Sequence, residues 1–159
     1  MLDALASGFA AAATPTNLLF CLVGALLGTL IGVLPGIGPI TTIALLLPLT
    51  LALSPLTALI MLAGIYYGAQ YGGSTTAILI NLPGEATSVI TAVDGYQMAR
   101  QGRAGHALAI AAIGSFVAGC VGTVLIGLFG PLLASFAQRF AAPEYTALMV
   151  LGLVSVVVL

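Results

Sequence analysis

The sequence predicts an all-α integral membrane protein with about five hydrophobic helices. Two of its segments are broken by glycine and proline, as re-entrant or discontinuous helices are. Three observations carry this expectation. The first is composition: of 159 residues 61% are hydrophobic and 4% charged, and mean hydropathy is +1.25. A soluble domain carries about 25% charged residues, so this chain cannot cover itself with a wettable surface, and a water-soluble monomer is excluded. The second is distribution. The charged residues are Asp3, Glu85, Asp94, Arg100, Arg103, Arg139 and Glu144, with His106 the one histidine and no lysine. No charge occurs from Ala4 to Gly84, from Ala104 to Gln138, or from Tyr145 to Leu159. At about 20 residues per span, these stretches hold about three, one and most of one more. The third is pattern. The apolar runs Ile43 to Leu47 and Leu148 to Leu151 are continuous, whereas a membrane barrel needs alternating strands. Three arginines cannot neutralise a nucleic-acid backbone, so nucleic acid is not an expected partner; the lipid bilayer is.

Residues 1 to 16 read as a short interfacial helix ending near Pro15. Asn17 is expected to cap a span to about Val33. In it Gly24, Gly28 and Gly32 recur every four residues, a face that lets another helix approach closely. The span stops at Leu34-Pro35-Gly36-Ile37-Gly38-Pro39, where two prolines and two glycines break any helix. Ile40 to Leu53 follows as a short helix interrupted by Pro48. Ser54-Pro55 is an N-cap and first-turn pair for a third helix, to about Ala69. Tyr71-Gly72-Gly73-Ser74-Thr75-Thr76 reads as a second break, and Asn81-Leu82-Pro83-Gly84 closes the segment.

Residues 85 to 105 hold four of the seven charges and read as an extramembrane loop with a short helix near Gly95 to Gln101. The positive-inside tendency puts this loop, with Arg100 and Arg103, in the cytoplasm. Ala104 to Leu128 is the most regular span. Gly130 to Ala142 is a connection, and Pro143-Glu144 starts a last helix. That helix is still apolar at Leu159. The expectation is one transmembrane domain over residues 1–159, a fragment of a longer protein. Cys21 and Cys120 lie in apolar runs and read as small hydrophobes.

A backbone break at membrane depth leaves N–H and C=O groups unpaired, which is tolerated where it lines a wet cavity. Half-helix N-termini there attract anions and freed carbonyls bind cations. Gly36, Gly38 and Thr41 at the first break, and Gly73, Ser74, Thr75 and Thr76 at the second, are therefore the candidate substrate-binding residues. Gly72 and Asn81 are the candidate cation ligands. Each break can also be read as a plain connector. Glu85, Asp94, Arg100 and Arg103 read as solvated loop charges. Enzyme motifs are not found: Gly36-Ile37-Gly38 lacks the rest of a dinucleotide fingerprint, and one histidine without paired cysteines cannot build a metal site. The chain is expected not to be an enzyme, and no cofactor is expected.

Gly32-Val33-Leu34-Pro35-Gly36-Ile37-Gly38-Pro39 with Ala44 to Pro48, the run Tyr66 to Gly84, and Asp94-Gly95-Tyr96-Gln97-Met98-Ala99 before Gly102-Arg103-Ala104 carry a resemblance. They resemble signatures of the large membrane subunit of tripartite tricarboxylate transporters, the TctA family. The likeness covers about residues 17 to 159. It implies a multi-pass secondary transporter of the bacterial inner membrane, of which this chain would be the N-terminal half. Such a transporter takes up a citrate-like carboxylate from a periplasmic solute-binding protein, together with a small membrane subunit. A sodium or proton gradient would drive it. The alternative is a non-transporting scaffold or assembly subunit that uses the glycine faces for helix pairing.

Overall fold

Lipid offers the backbone no hydrogen bonds, so long apolar runs close their bonds internally as helices. The computed structural model describes residues 2–138 and 140–158. They form seven helices, with no strand among the described residues: α1 Leu2–Ala12, α2 Pro15–Gly32, α3 Pro39–Thr50, α4 Pro55–Ile80, α5 Ser88–Arg100, α6 Ala104–Ala137 and α7 Ala142–Val158. The chain divides into two compact units, Met1–Ser115 and Phe116–Leu159.

Among the described residues, two helices are long and apolar enough to cross a membrane, Pro15–Gly32 and Ala104–Ala137. Pro39–Thr50 and Ala142–Ser155 are apolar but shorter. Other boundaries also move. Pro48 lies inside α3 without ending it. The loop helix begins at Ser88, well before Gly95. The expected connection from Gly130 is largely helical, because α6 runs 34 residues with Pro131 inside it.

The core of the first unit is the contact between α2 and α4. Gly24, Gly28 and Gly32 lie on the backbone carbonyls of Met61, Ile65 and Ala69. Gly64, Gly68 and Gly72 lie reciprocally on those of Cys21, Ala25 and Thr29. A Cβ at any of the six would come within 3.0 Å of partner backbone. The small-residue face read from α2 is therefore real, and it has a matching face on α4. Met61, Ile65 and Ala69 are buried in this contact.

Asn17 does not cap α2. Thr14 and Pro15 begin that helix, and Asn17 lies in its first turn, buried. Its Nδ2 donates to the Ala11 carbonyl at 2.7 Å, and its Oδ1 accepts from Thr57 Oγ1 at 2.8 Å. With that hydrogen committed, Ser54 Oγ donates to Thr57 Oγ1 at 2.8 Å and accepts from the Thr57 N–H at 3.4 Å. The cap of α4 read at Ser54 is thus tied through Thr57 and Asn17 to the end of α1. Short polar side chains are useful here because each buried donor must find an acceptor.

The second unit contains the rest of α6 and α7. Its described residues are exposed or half-buried, with large apolar side chains such as Phe116, Leu132, Phe136 and Met149 uncovered.

This packing sets the stability of three variants. Gly28→Ala in the full-length protein should lower stability by about 1–3 kcal/mol, since its methyl meets backbone that cannot turn aside. Gly114→Ala, with open space around it, should be neutral or gain up to about 1 kcal/mol of helix propensity. Asn17→Leu should lose about 1–3 kcal/mol by leaving the buried Thr57 hydroxyl without its acceptor. Thermal unfolding in detergent, with matched expression, checks all three.

Candidate functional site

The first predicted break is a true one. α2 gives way after Gly32, and the Ile37 N–H closes a turn on the Leu34 carbonyl at 3.2 Å. Gly36 in that turn has φ +83°, a left-handed conformation in which an L side chain is strained. Gly38 then precedes α3 in extended conformation, with Pro39 in the first turn. The Gly38 carbonyl accepts both the N–H and the hydroxyl of Thr42, each at 3.0 Å. Thr42 is buried and Thr41 exposed, so Thr42 secures the turn while Thr41 stands free at the helix end. The N–H groups of Ile40 and Thr41 are first-turn donors that the helix itself does not satisfy.

The second predicted break does not exist. Residues 71–76 lie inside the continuous 26-residue helix α4. The expectation failed because glycine and hydroxyl residues are weak helix formers in water, while here each has a reason to be helical. Gly72 lets the backbone of α2 approach, and Gly73 is the surface on which Gly84, itself without a side chain, packs. Ser74, Thr75 and Thr76 turn their hydroxyls back onto the carbonyls of Gln70, Tyr71 and Gly73 at 3.1, 2.9 and 3.0 Å. Such back-bonding satisfies a hydroxyl inside a helix at little cost. The Gly72 carbonyl is accordingly not set free by unwinding. Asn81 ends α4 in left-handed conformation, φ 58°, one that asparagine adopts more readily than most side chains.

After Asn81 the chain folds back. Gly84 packs on Gly73, its Cβ position only 2.8 Å from the Gly73 Cα. This return places Glu85 against the first break: a Cβ on Gly38 would lie 3.4 Å from Glu85 Cβ and 3.6 Å from its Oε2. Thr87 Oγ1 donates to Glu85 Oε1 at 2.6 Å and accepts from Gln70 Nε2 at 3.2 Å. Gln70 Oε1 is buried and has no hydrogen-bond partner. Ser88 exchanges bonds with Glu85: its hydroxyl donates to the Glu85 carbonyl at 2.9 Å and accepts from the Glu85 N–H at 3.2 Å. Between α4, α5 and the start of α6 a cavity of about 330 Å³ opens, with Ser74, Thr91, Asp94 and Ser115 as its polar lining.

A family model described as "Tripartite tricarboxylate transporter TctA family" matches residues 18–159. The chain belongs to this family. It is 65% identical over 153 residues to a protein of Agrobacterium vitis named "Uncharacterized 52.8 kDa protein in TAR-I ttuC' 3'region". That alignment covers 96% of this chain and 30% of the relative, so the chain spans under a third of the relative's length. No solved structure matches.

In this TctA chain the predicted residues are partly brought together. Gly36, Gly38 and Thr41 share one turn. Gly73 joins them indirectly, through Gly84 and Glu85. Gly72 and Thr76 are buried, Ser74 lines the cavity instead, and Thr75 is half-buried. Gly72 and Asn81 lie nine positions apart on one helix run, about 13 Å at 1.5 Å per residue. The sequence reading missed Glu85, Thr87 and Gln70. A signal was available: Glu85 is the first charge after Asp3, and it directly follows the Asn81-to-Gly84 stop that turns the chain back.

Asn81→Gly should leave thermal stability within about 0.5 kcal/mol, because glycine takes left-handed φ freely. Asn81→Val should cost about 1–2 kcal/mol. Unfolding midpoints of the two variants, measured side by side, check this.

Proposed function

We propose that the protein containing this chain is the large membrane subunit of a carboxylate uptake system. The match to the TctA family over almost the whole chain carries this reading. The subunit is multi-pass in the bacterial inner membrane, where its uncovered apolar helices face lipid or the remainder of the protein. A periplasmic solute-binding protein delivers a citrate-like di- or tricarboxylate, a small membrane subunit completes the complex, and a sodium or proton gradient drives uptake.

The substrate site is placed at the first break. In a region almost without cationic side chains, backbone N–H groups and hydroxyls are the means left to hold a carboxylate. Gly36 and Gly38 shape the turn, and the N-terminal end of α3 offers its free donors beside the Thr41 hydroxyl. Gly73, Ser74, Thr75 and Thr76 contribute as part of the neighbouring helix α4, not as a second broken loop. The scaffold alternative predicts that the Gly72–Thr76 segment can be replaced by helix formers. That substitution no longer separates the readings, since a side chain at Gly72 collides with α2 under both.

Thr41→Val separates them. In cells expressing the full-length protein with its binding protein and small subunit, labelled citrate should accumulate. Thr41→Val should cut uptake about tenfold, the value of one hydrogen bond to a charged group, at unchanged membrane level. Absence of accumulation by the unmodified protein, for citrate and for smaller di- and tricarboxylates alike, would sink the transporter reading.

A further inference from the structure

Glu85 lies where the proposed carboxylate site needs positive potential. A helix N-terminus carries roughly half a positive charge, and a full negative charge beside it reverses the sign. Yet Glu85 is half-buried, while the other described charged side chains, Asp94, Arg100, Arg103 and Glu144, are exposed. Among the described residues no arginine pairs with it; its carboxylate receives one hydrogen bond, from Thr87. No charged residue occurs in the 33–38 turn, in α3 or in α4. The titratable groups on the elements around it are Tyr66, Tyr67 and Tyr71 on α4 and Asp94, Tyr96 and Arg100 on α5.

Beside the free donors of α3, which the substrate would take, the turn holds unused acceptors. Glu85 Oε2 faces the Gly38 turn without a hydrogen bond. In that turn the carbonyls of Pro35 and Gly36 accept nothing among the described residues. Gln70 Oε1, one hydrogen bond away through Thr87, is buried and unsatisfied. An orphaned buried acceptor costs about 1–3 kcal/mol. A set of oxygens with unused lone pairs is what a hard monovalent cation takes from unwound backbone and carboxylate.

We infer that Glu85, with the carbonyls of the 33–38 turn and the Thr87–Gln70 pair behind it, is the site of the coupling monovalent cation, sodium or proton. This rests on the transporter reading above and replaces Gly72 and Asn81 as the place of the cation. It also supplies a reason for coupling. With the site empty, the Glu85 charge repels a substrate carboxylate from the N-terminus of α3. With a cation bound, that end is positive again and the substrate is held. By linkage the substrate raises cation affinity by the same factor.

The test uses the full-length protein in nanodiscs, with radiolabelled sodium binding measured against choline at constant pH. Glu85→Gln should weaken sodium binding at least about tenfold, as loss of a charged partner does, and Gln70→Leu should weaken it as well. Glu144→Gln should not. Labelled citrate should bind the unmodified protein only with the cation, but should bind Glu85→Gln without it, because glutamine imitates the neutralised carboxylate. If no sodium binds, infrared titration identifies the proton: a protonated-carboxyl band that Glu85→Gln removes supports the site with a proton in it. Cation response unchanged in both Glu85→Gln and Gln70→Leu overturns the inference, and so does citrate binding in Glu85→Gln that still needs the cation. Cation binding without any carboxylate binding would instead overturn the transporter reading and leave the site standing.

Discussion

The close approach of α2 and α4 is the constraint on which the first unit depends. Between helices in lipid there is little hydrophobic gain, because the tails are as apolar as leucine. Association rests on contact distance instead. Six glycines, three from each helix, bring backbone against backbone where any Cβ would collide. Glycine weakens an isolated helix by about 1 kcal/mol relative to alanine, so each position is one where closeness outweighs propensity. At Gly72 the same contact gives α4 a reason to stay helical where its sequence would weaken it in water.

Because α4 is continuous, the first unit has one break rather than two. The chain leaves α2, turns left-handed at Gly36 and enters α3, while the segment after Asn81 folds back onto it. The Gly73–Gly84 contact decides where that return lands, and so sets Glu85 on Gly38. The glycine at position 84 thus acts at a distance from any ligand: by having no side chain, it lets the chain lie on α4 and a carboxylate reach the turn. Two parts of the chain that share no motif meet there.

Much of this was legible from residues alone. The charge-free stretches and continuous apolar runs pointed to helices. Gly24, Gly28 and Gly32 announced a packing face, Ser54-Pro55 a helix start, and Pro35 to Pro39 a break. These signals are local, and local chemistry decides them. Two kinds of feature were not legible. Whether Gly72-Gly73-Ser74-Thr75-Thr76 bends or stays helical depends on what lies across from it, since the same residues serve a turn or a tight interface. Asn17 reads as a helix cap, but its amide oxygen accepts from Thr57, forty positions away. The Glu85–Thr87–Gln70 chain likewise joins two helices through hydrogen bonds that no spacing encodes.

Helix α6 has a separate consequence. Its 34 residues extend about 51 Å at 1.5 Å per residue, against about 30 Å of hydrocarbon. It is apolar from end to end, so it cannot stand upright in an ordinary bilayer without leaving hydrophobic length in water. Tilt and a bend at Pro131 are the ways to absorb the excess. Hydrophobic mismatch of this size makes the helix sensitive to membrane thickness: a thinner bilayer demands more inclination from it, a thicker one less. Lipid composition is thereby a mechanical variable for this helix, independent of any ligand.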